Sequence, residues 1–244
     1  MTSQAPPLLS VVLPTYNERE NVSALVPHVL DVLHDVPCEV IIVDDGSPDG
    51  TADVARGLGA ADDRVRLIER AGKAGLSSAV FAGAAAAQGR FVAVLDSDLS
   101  HDPEELPGML ARAEGGCDVV VGSRFAPGAG FDGQPLTRRL ISLALNLGVR
   151  VLLMLPQRDV LTGYALCRRE AITEMPTRYS SRGFKWLLEA LATQRELRVC
   201  EWPVVFHNRY AGASKAGVGE AAALAALCAR ILLWRARRRV GRTG

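Results

Sequence analysis

The amino-acid sequence predicts an α/β protein with a doubly wound, mostly parallel sheet flanked by helices. In the first half of the chain, short apolar runs rich in β-branched residues alternate with helical segments. Continuously apolar runs are typical of strands covered on both faces, as in a parallel sheet. The chain has 244 residues, 48% of them hydrophobic and 23% charged. This composition fits one domain that buries a core, and it excludes a disordered chain.

Five apolar runs are predicted as strands, in this order: Leu8–Leu13, Glu39–Val43, Val65–Ile68, Phe91–Leu95 and Cys117–Val121. Helices are predicted between them. Asn17 and Glu20 have the spacing of a capping box, which would begin a helix that ends near Leu33. The alanine-rich segment Gly75–Gln88 predicts a helix packed closely on the sheet. Asp102, followed by a proline and two glutamates, is typical of a helix start.

The chain from residue 122 onward is less regular. A Gly- and Pro-rich loop is predicted over residues 122–135, two apolar helices over residues 137–155 and 184–194, and a strand over residues 197–206. A final apolar helix ends in a basic tail, since six arginines and no acid follow Ala222. This pattern predicts a main domain over residues 1–217. It also predicts an amphipathic basic helix over residues 218–244 that lies on an anionic membrane surface, with residues 140–155 as a second contact surface. The alternative for residues 218–244 is a helix that packs on the main domain and ends in a solvated tail.

The cysteines indicate a reducing compartment. They are scattered and odd in number: Cys38, Cys117, Cys167, Cys200 and Cys228. Because this pattern fits neither a zinc cluster nor a secreted disulfide framework, reduced thiols in a cytosolic protein are predicted. The first residues lack the basic segment of a signal peptide, and no uninterrupted apolar run is long enough to predict a membrane span. The net charge of +1 excludes a wholly basic nucleic-acid binder.

Carboxylates follow three of the predicted strands. Glu18 comes after the first strand, Asp44 and Asp45 after the second, and Asp96 and Asp98 after the fourth. Ligands of open α/β sheets bind at the carboxyl ends of strands. Two close carboxylates repel each other unless a cation lies between them, so the last pair predicts a site for Mg²⁺ or Mn²⁺. For an isolated pair of aspartates, turn and capping chemistry is the alternative.

Basic side chains in loops and at helix starts complement these carboxylates: Lys73, Arg124, Arg138, Arg139, Arg209 and Lys215. Most lie beside glycine or serine. Cations in such loops suit phosphate recognition, because arginine can bind two oxygens at once. For any one of them a solvated surface charge is the alternative. Tyr16, after the first strand, is placed to stack on a base, and the alternative is a surface tyrosine beside a helix cap.

Six motifs, in order along the chain, resemble those of a known family: VVLPTYNERENV, VDDGSPDGTADVA, RAGKAGL, LDSDLSHDPEEL, VVGSRF and RYAGASK. Over roughly residues 8–220 the chain is similar to the polyprenyl-phosphate mannose synthases (dolichol-phosphate mannosyltransferase type). These belong to the family 2 inverting glycosyltransferases of GT-A fold. The resemblance implies a GT-A domain that transfers mannose from GDP-mannose to a polyprenyl monophosphate with inversion.

The resemblance also assigns roles to matching positions. Five residues would hold the guanosine: Pro14, Tyr16, Glu18, Val43 and Asp45. Three would contact the diphosphate and its metal, namely Asp96, Ser97 and Asp98, with Ser100 as a further metal ligand. Four basic residues would bind the diphosphate or the acceptor phosphate: Arg124, Arg139, Arg209 and Lys215, with Arg138 as the alternative to Arg139. The implied catalytic set is these four with Asp96 and Asp98.

Three departures from the family pattern lie in the acceptor half. No Trp precedes Arg138, Ala165 stands where relatives commonly have Arg, and Asn146 lacks its usual Gly-Ala neighbours. The donor site is therefore better supported than the acceptor site. One alternative is another polyprenyl-phosphate glycosyltransferase that uses UDP-glucose or UDP-GlcNAc. A nucleotidyltransferase and a non-catalytic membrane scaffold are alternatives of different classes.

The expected partners follow from this interpretation. They are the GDP-mannose donor, a polyprenyl phosphate acceptor and the cytoplasmic face of a membrane, contacted peripherally through the C-terminal helix. No nucleic acid is expected, and a separate membrane-protein subunit is left open.

Overall fold

The computed structural model of the chain describes residues 6–174, 185–194, 196–208 and 218–240. Within them a seven-stranded sheet has the order β3-β2-β1-β4-β7-β5-β8. Its strands are β1 (Leu9–Thr15), β2 (Cys38–Asp44), β3 (Val65–Glu69), β4 (Phe91–Val94), β5 (Val119–Ser123), β7 (Ala165–Arg168) and β8 (Val199–Pro203). A small second sheet pairs β6 (Gly130–Phe131) with β9 (Val205–Phe206). Only β7 is antiparallel to its neighbours in the large sheet, so the predicted mostly parallel α/β fold is confirmed.

Helices cover both faces of the sheet: α1 (Arg19–Val32), α2 (Thr51–Ala61), α3 (Leu76–Ala86), α4 (Leu106–Glu114), α5 (Leu136–Leu153), α6 (Arg169–Thr173), α7 (Trp186–Thr193) and α8 (Val218–Val240). Each face has its own core. Val12 of β1 belongs to the cluster formed with α3, α7 and α8, whereas Val11 and Leu13 belong to the cluster formed with α1 and α4. Because both faces are buried, the strands read as continuous apolar runs.

The predicted capping box at Asn17 and Glu20 is wrong. Helix α1 begins at Arg19, and Asn17 has a left-handed φ of 58°. The backbone N–H of Asn17 donates to Ser47 Oγ at 2.9 Å, and that of Glu18 donates to Thr51 Oγ1 at 3.0 Å. Long-range bonds to the loop between β2 and α2 therefore set the entry into this helix. At Asp102 the prediction is confirmed, since its side chain accepts from the backbone N–H of Glu104 at 3.0 Å.

The second half of the chain differs from the prediction in its strands. Strand β6 lies within the predicted loop 122–135, and the predicted strand 197–206 is split into β8 and β9. Strand β7 has only four residues, and the sequence analysis missed it. Its antiparallel insertion between β4 and β5 is a tertiary pairing that leaves no periodic signal in so short a segment.

Two cysteines are paired, which corrects the prediction of reduced thiols throughout. Cys117 and Cys200 form a disulfide between chain positions 83 residues apart. They meet because β5 and β8 are neighbouring parallel strands. The remaining thiols, Cys38, Cys167 and Cys228, are free and buried.

Helix α8 packs against α5 and α7. Leu224, Leu227 and Ile231 are buried in the core cluster on that face of the sheet. Arg235 donates to the backbone carbonyl oxygen of Ala192 in α7 and to that of Leu153 in α5. One face of the predicted amphipathic helix is therefore used for packing. None of the helices in the described part of the chain combines the length and apolarity that crossing a bilayer requires.

Glu189 in α7 makes the stability of the fold dependent on pH. Burial raises the pKa of its carboxyl from 4.5 to about 7, an effect that the charge of Arg230 only partly offsets. The folded state therefore binds this proton more tightly than the unfolded state, and stability falls as pH rises from 4.5 to about 7. At pH 8 we expect Glu189→Gln to raise the free energy of unfolding by about 2–3 kcal/mol and to flatten its pH dependence.

Denaturant unfolding at pH 5 and pH 8 measures this effect, with the exposed Glu196→Gln as the control. An unchanged pH dependence in Glu189→Gln would contradict the assignment.

Candidate active site

A cavity of about 580 Å³ opens at the carboxyl ends of β1, β2 and β4. These three strands are parallel neighbours, so their ends meet at one edge of the sheet. Eight of the predicted site residues line the cavity: Pro14, Tyr16, Glu18, Asp45, Asp96, Ser97, Asp98 and Arg124. The predicted residues Val43, Ser100 and Arg139 do not line it. Arg209 and Lys215 lie outside the described residues.

The turn after β4 positions the two aspartates. Ser97 Oγ donates to the carbonyl oxygen of Pro14 at 3.0 Å, which fastens this turn to the end of β1. The backbone N–H of Ser100 donates to Asp98 Oδ1 at 3.1 Å, and Leu99 between them has a φ of 60°. The backbone N–H of Asp96 donates to His101 Nδ1 at 3.3 Å. Both carboxylates are thereby placed at the cavity wall.

These residues fit a divalent cation. Among the described residues, the buried Ser100 Oγ is one of the side-chain atoms that have no hydrogen-bond partner. A buried hydroxyl without a partner is costly, and a cation would satisfy it. The described residues contain no group of three or more His, Cys, Asp or Glu side chains that could hold a metal. Mg²⁺ does not require one, because it is typically bound by one or two carboxylates together with substrate phosphates.

Gly163 allows the carboxylate of Asp96 to lie close to the backbone. A Cβ at this position would come within 3.2 Å of both carboxylate oxygens. We therefore expect Gly163→Ala to displace the Asp96 carboxylate by a few tenths of an ångström. The turnover number of any reaction that depends on a metal at this site should then fall about tenfold. Steady-state kinetics in a Mn²⁺ titration measures the effect. The control is Gly57→Ala in α2, where a Cβ would meet nothing within 4 Å. Equal activity of the two variants would contradict this role of Gly163.

The polar groups after β1 and β2 are already engaged. Asp45 accepts from Arg70 Nε at 2.6 Å and from the backbone N–H groups of Ala74 and Gly75 at 3.1 and 3.2 Å. It thus holds the loop before α3 against the cavity. Lys73 in that loop lies 4.4 Å above the ring of Tyr16. Both side chains line the cavity, where they form a flat, basic surface suited to a nucleotide base.

Of two further residues predicted to bind the nucleotide, Glu18 lines the cavity and Val43 does not. The side chain of Val43 lies in the core, and only its carbonyl oxygen bonds toward the site, where it accepts from Thr15 Oγ1 at 3.2 Å. Glu18 lines the cavity, and its Oε2 accepts from Asn21 Nδ2 at 2.6 Å. A direct contact of the Val43 side chain with a ligand is therefore excluded in this conformation.

Arg124 is held by a residue that the sequence analysis missed. Asp159 accepts from Arg124 Nε at 2.7 Å and from Nη2 at 2.9 Å. Although burial raises it, the pKa of the Asp159 carboxyl stays below its usual range because of the charge and hydrogen bonds of Arg124. Nothing in the local sequence around Asp159 identifies this pairing, since the two residues are 35 positions apart.

Aromatic rings connect Arg124 to the predicted acceptor arginine. The guanidinium carbon of Arg124 lies 5.5 Å from the ring centre of Phe206 and 6.0 Å from that of Phe131. Arg139, at the start of α5, lies 5.5 Å from the same Phe131 ring. Arg139 therefore lies beside the cavity, although it does not line it.

Lys185, Glu220 and His101 also line the cavity, and the sequence analysis had not selected them. Lys185 Nζ donates to the carbonyl oxygen of Leu161 at 2.8 Å. Burial lowers the pKa of Lys185, and the charge of Arg124 lowers it further. Burial also lowers the pKa of His101, which stacks on Tyr164. Glu220 belongs to the first turn of α8, so the C-terminal helix contributes to the cavity wall.

Large apolar side chains are exposed on α5, which begins next to the cavity. They are Leu136, Leu140, Ile141, Leu143, Leu145, Leu147, Val151 and Leu152, with Met154 directly after the helix. On the described part of α8 only Leu233 is comparable. Helix α5 carries Arg138, Arg139 and Arg150 and no acidic residue. It is therefore an apolar surface with basic residues near both ends.

Comparison with known proteins connects the chain to one family. Residues 10–175 match the model of "Glycosyl transferase family 2". The chain is 37% identical over 212 residues to a polyprenol monophosphomannose synthase of Mycolicibacterium smegmatis, covering 84% of this chain and 79% of that protein. It is 35% identical over 219 residues to an undecaprenyl-phosphate mannosyltransferase of Micrococcus luteus, covering 86% and 89%.

A third relative is longer. The chain is 35% identical over 211 residues to a dolichol-phosphate mannosyltransferase of Pyrococcus furiosus, covering 85% of this chain but 58% of that protein. Among solved structures, glucosyl-3-phosphoglycerate synthase of Mycobacterium tuberculosis with Mn²⁺, uridine diphosphate and glucosyl-3-phosphoglycerate has a TM-score of 0.65 at 22% identity. That match covers 93% of this chain and 77% of the other. The same enzyme with Mg²⁺ and uridine diphosphate has a TM-score of 0.64 at 23% identity, over 94% of this chain and 79% of the other. These likenesses show a shared GT-A fold.

Proposed function

The chain belongs to glycosyltransferase family 2, and we propose that it transfers mannose from GDP-mannose to a polyprenyl monophosphate, giving polyprenyl-phosphate-mannose and GDP. The observation that carries the proposal is the cavity that joins Asp96, Asp98 and Arg124 beside the apolar helix α5. The two aspartates and the arginine suit a metal-bound diphosphate, and the exposed apolar side chains of α5 suit a lipid. The relatives at 35–37% identity are named for this acceptor class and this sugar.

The proposed mechanism needs no general base, because a lipid phosphate is already an anion at neutral pH. The protein has to place this phosphate behind the anomeric carbon and to stabilise the negative charge of the departing GDP. Asp96 and Asp98, with Ser100, would hold Mg²⁺ or Mn²⁺, which supplies Lewis-acid neutralisation of the diphosphate. Arg124, together with Arg209 and Lys215 of the RYAGASK motif, would bind the phosphates. In-line attack inverts the sugar centre.

Phe131 suggests where the acceptor enters. The guanidinium carbons of Arg139 and Arg124 lie 5.5 and 6.0 Å from the centre of this ring, so the ring connects a cation at the start of α5 with one in the cavity. We propose that the acceptor phosphate passes Arg139 on its way to the sugar while the prenyl chain stays along α5. The two arginines would then act in sequence on one anion.

A membrane surface is the proposed location. Helix α5 exposes apolar side chains and carries only basic charges, which is the pattern of a helix that lies in a bilayer interface. The tail of α8 supplies further arginines, so we keep residues 218–244 as a second, smaller contact. The active site has to face the compartment that contains nucleotide sugars, since these charged molecules do not cross a bilayer unaided. We therefore propose the cytoplasmic face and leave a separate membrane subunit open.

The identity of the donor is the part of the proposal for which a specific alternative exists. Another polyprenyl-phosphate glycosyltransferase would use UDP-glucose or UDP-GlcNAc in the same cavity. The deciding experiment presents the three labelled donors with polyprenyl phosphate and Mg²⁺ and measures the label extracted into organic solvent. Preferred transfer from GDP-mannose supports the proposal. Transfer only from a UDP-sugar replaces the donor, and no transfer from any of them overturns the function.

The two basic residues of the RYAGASK motif provide a further prediction. We expect Arg209→Ala and Lys215→Ala each to cost about 1.5–3 kcal/mol of transition-state stabilisation, the range for a lost charge-assisted contact. In kcat/KM this is a loss of about 10- to 150-fold. Melting temperatures should stay within the range of the exposed control Arg112→Ala. A large drop in melting temperature with normal kinetics would make the two residues structural.

A further inference from the structure

The pairing of Arg124 with Asp159 uses one edge of the guanidinium. The carboxylate of Asp159, which is fully buried, accepts from Nε, from Nη2 and from the backbone N–H of Arg124. Arg124 makes no other hydrogen bond to the described residues. The bidentate contact therefore fixes the plane of the guanidinium and leaves the Nη1 side available at the cavity that Arg124 lines.

Asp159 is itself held firmly by the segment that carries it. We call residues 156–163, between α5 and β7, the 156–163 loop. Glu201 of β8 accepts from the backbone N–H groups of Arg158 and Asp159 at 2.9 and 3.1 Å. Asn146, buried in α5, donates to the carbonyl oxygen of Arg158 and accepts from the backbone N–H of Val160 at 2.9 Å. The peptide units on both sides of Asp159 are thus clamped, one of them by the apolar helix.

An unpaired arginine at this position would be harmful to the proposed reaction. Asp96 and Asp98 line the same cavity and carry the charges that a divalent cation needs. A flexible guanidinium would be attracted to these carboxylates and would compete with the cation for them. In the structure Asp159 occupies one edge of the Arg124 guanidinium and offsets its charge.

We propose that Asp159 is a positioning residue, which orients Arg124 for the phosphate groups of the reaction, and that Asn146 holds Asp159 in place from α5. This inference rests on the proposed function. It adds a second role for α5, because the helix that would contact the lipid also anchors the loop that aligns an arginine of the active site. The competing explanation is a buried ion pair that only stabilises the fold.

A double-mutant cycle separates the two explanations: wild type, Arg124→Gln, Asp159→Asn and the double variant. For a positioning role we expect Arg124→Gln to lower kcat about 100- to 1000-fold and Asp159→Asn to lower it about 10- to 100-fold. The donor KM of Asp159→Asn should change less than about threefold, because Arg124 keeps its charge. The double variant should match Arg124→Gln within about threefold, since Asp159 acts only through Arg124.

The matched control is Asp62→Asn, which removes a bidentate partner of Arg64 outside the cavity and should leave kcat unchanged. Multiplicative effects in the double variant overturn the inference, as does a folded Asp159→Asn with wild-type kcat. If Asp159→Asn does not fold, Asn146→Ala replaces it in the cycle under the same criteria, with an expected kcat loss of about 3- to 10-fold.

The same proteins distinguish failure of the inference from failure of the proposed function. If the wild type transfers no mannose, the proposed function is wrong, and the cycle is then measured as kcat with whichever UDP-sugar the donor comparison selects. A double variant that matches Arg124→Gln supports the positioning role. Multiplicative effects, or no transfer from any donor, overturn it.

Discussion

Asp98→Ala is expected to lower kcat/KM by about 1000-fold or more, whatever the concentration of Mg²⁺ or Mn²⁺. The variant leaves only Asp96 of the pair of aspartates after β4, and one carboxylate cannot hold the cation against the diphosphate. Lewis-acid stabilisation by a bound metal is worth several kcal/mol, which corresponds to this loss in rate. Initial rates of lipid-linked product across a metal titration measure the effect, and Mn²⁺ binding to the free protein provides a second measurement.

Two further variants control for folding. Asp98→Asn keeps an oxygen that can accept from the backbone N–H of Ser100, so the turn after β4 is retained while the charge is lost. It should be as inactive as Asp98→Ala. Asp102→Ala removes the nearby cap at a cost of about 0.5–2 kcal/mol of stability and should retain turnover. Near-normal rates of Asp98→Ala in the presence of a chelator would show that the metal site is wrong.

Leu140→Ser, Leu147→Ser and Val151→Ser together are expected to weaken binding to anionic vesicles by about 1000-fold. The three side chains are 50–69% exposed on α5, so their replacement removes little from the core. If each contributes about 1.5 kcal/mol when it enters the bilayer interface, the sum is about 4–5 kcal/mol. Activity on long polyprenyl phosphates should fall with binding, whereas activity on short, water-soluble prenyl phosphates should remain.

Helix α8 supplies the comparison for this experiment. Leu233→Ser with Arg237→Ala changes exposed residues of that helix, and we expect it to weaken vesicle binding much less. Truncation of α8 is a poor test, because it would remove the buried Leu224, Leu227 and Ile231, expose the core that they cover and destabilise the fold. Equal losses on long and short acceptors by the folded α5 variant would argue against a membrane role for α5. A larger effect of the α8 variant would move the main contact to the C-terminal helix.

The donor half of the candidate site could be predicted because its signals are local. Asp96 and Asp98 directly follow the buried strand β4, and Tyr16 and Asp45 directly follow β1 and β2. Parallel neighbours bring their carboxyl ends to one edge, so strand order alone places these residues together. Val43 was predicted to contact the nucleotide, but its side chain lies in the core. Successive side chains of a strand point to opposite faces of the sheet, and that of Val43 points to a buried face.

The acceptor half depends on pairings that no local pattern encodes. Strand β7 enters the sheet antiparallel, and the loop before it carries Asp159 to Arg124 and Gly163 to Asp96. The disulfide between Cys117 and Cys200 likewise depends on the adjacency of β5 and β8. Each contact joins residues that are far apart in the chain, and neither partner is unusual in its own segment.

Local sequence patterns are sufficient to predict the α/β class, the main strands and the edge of the sheet where the carboxylates meet, because apolar runs and strand ends are properties of short segments. The pairing of Arg124 with Asp159 and the exposure of the apolar face of α5 depend on tertiary contacts. Both α5 and α8 are rich in apolar residues, but the second buries Leu224, Leu227 and Ile231 whereas the first leaves most of its leucines in contact with solvent. The physical reason is that burial depends on what packs against a helix, and that partner is chosen by the whole fold.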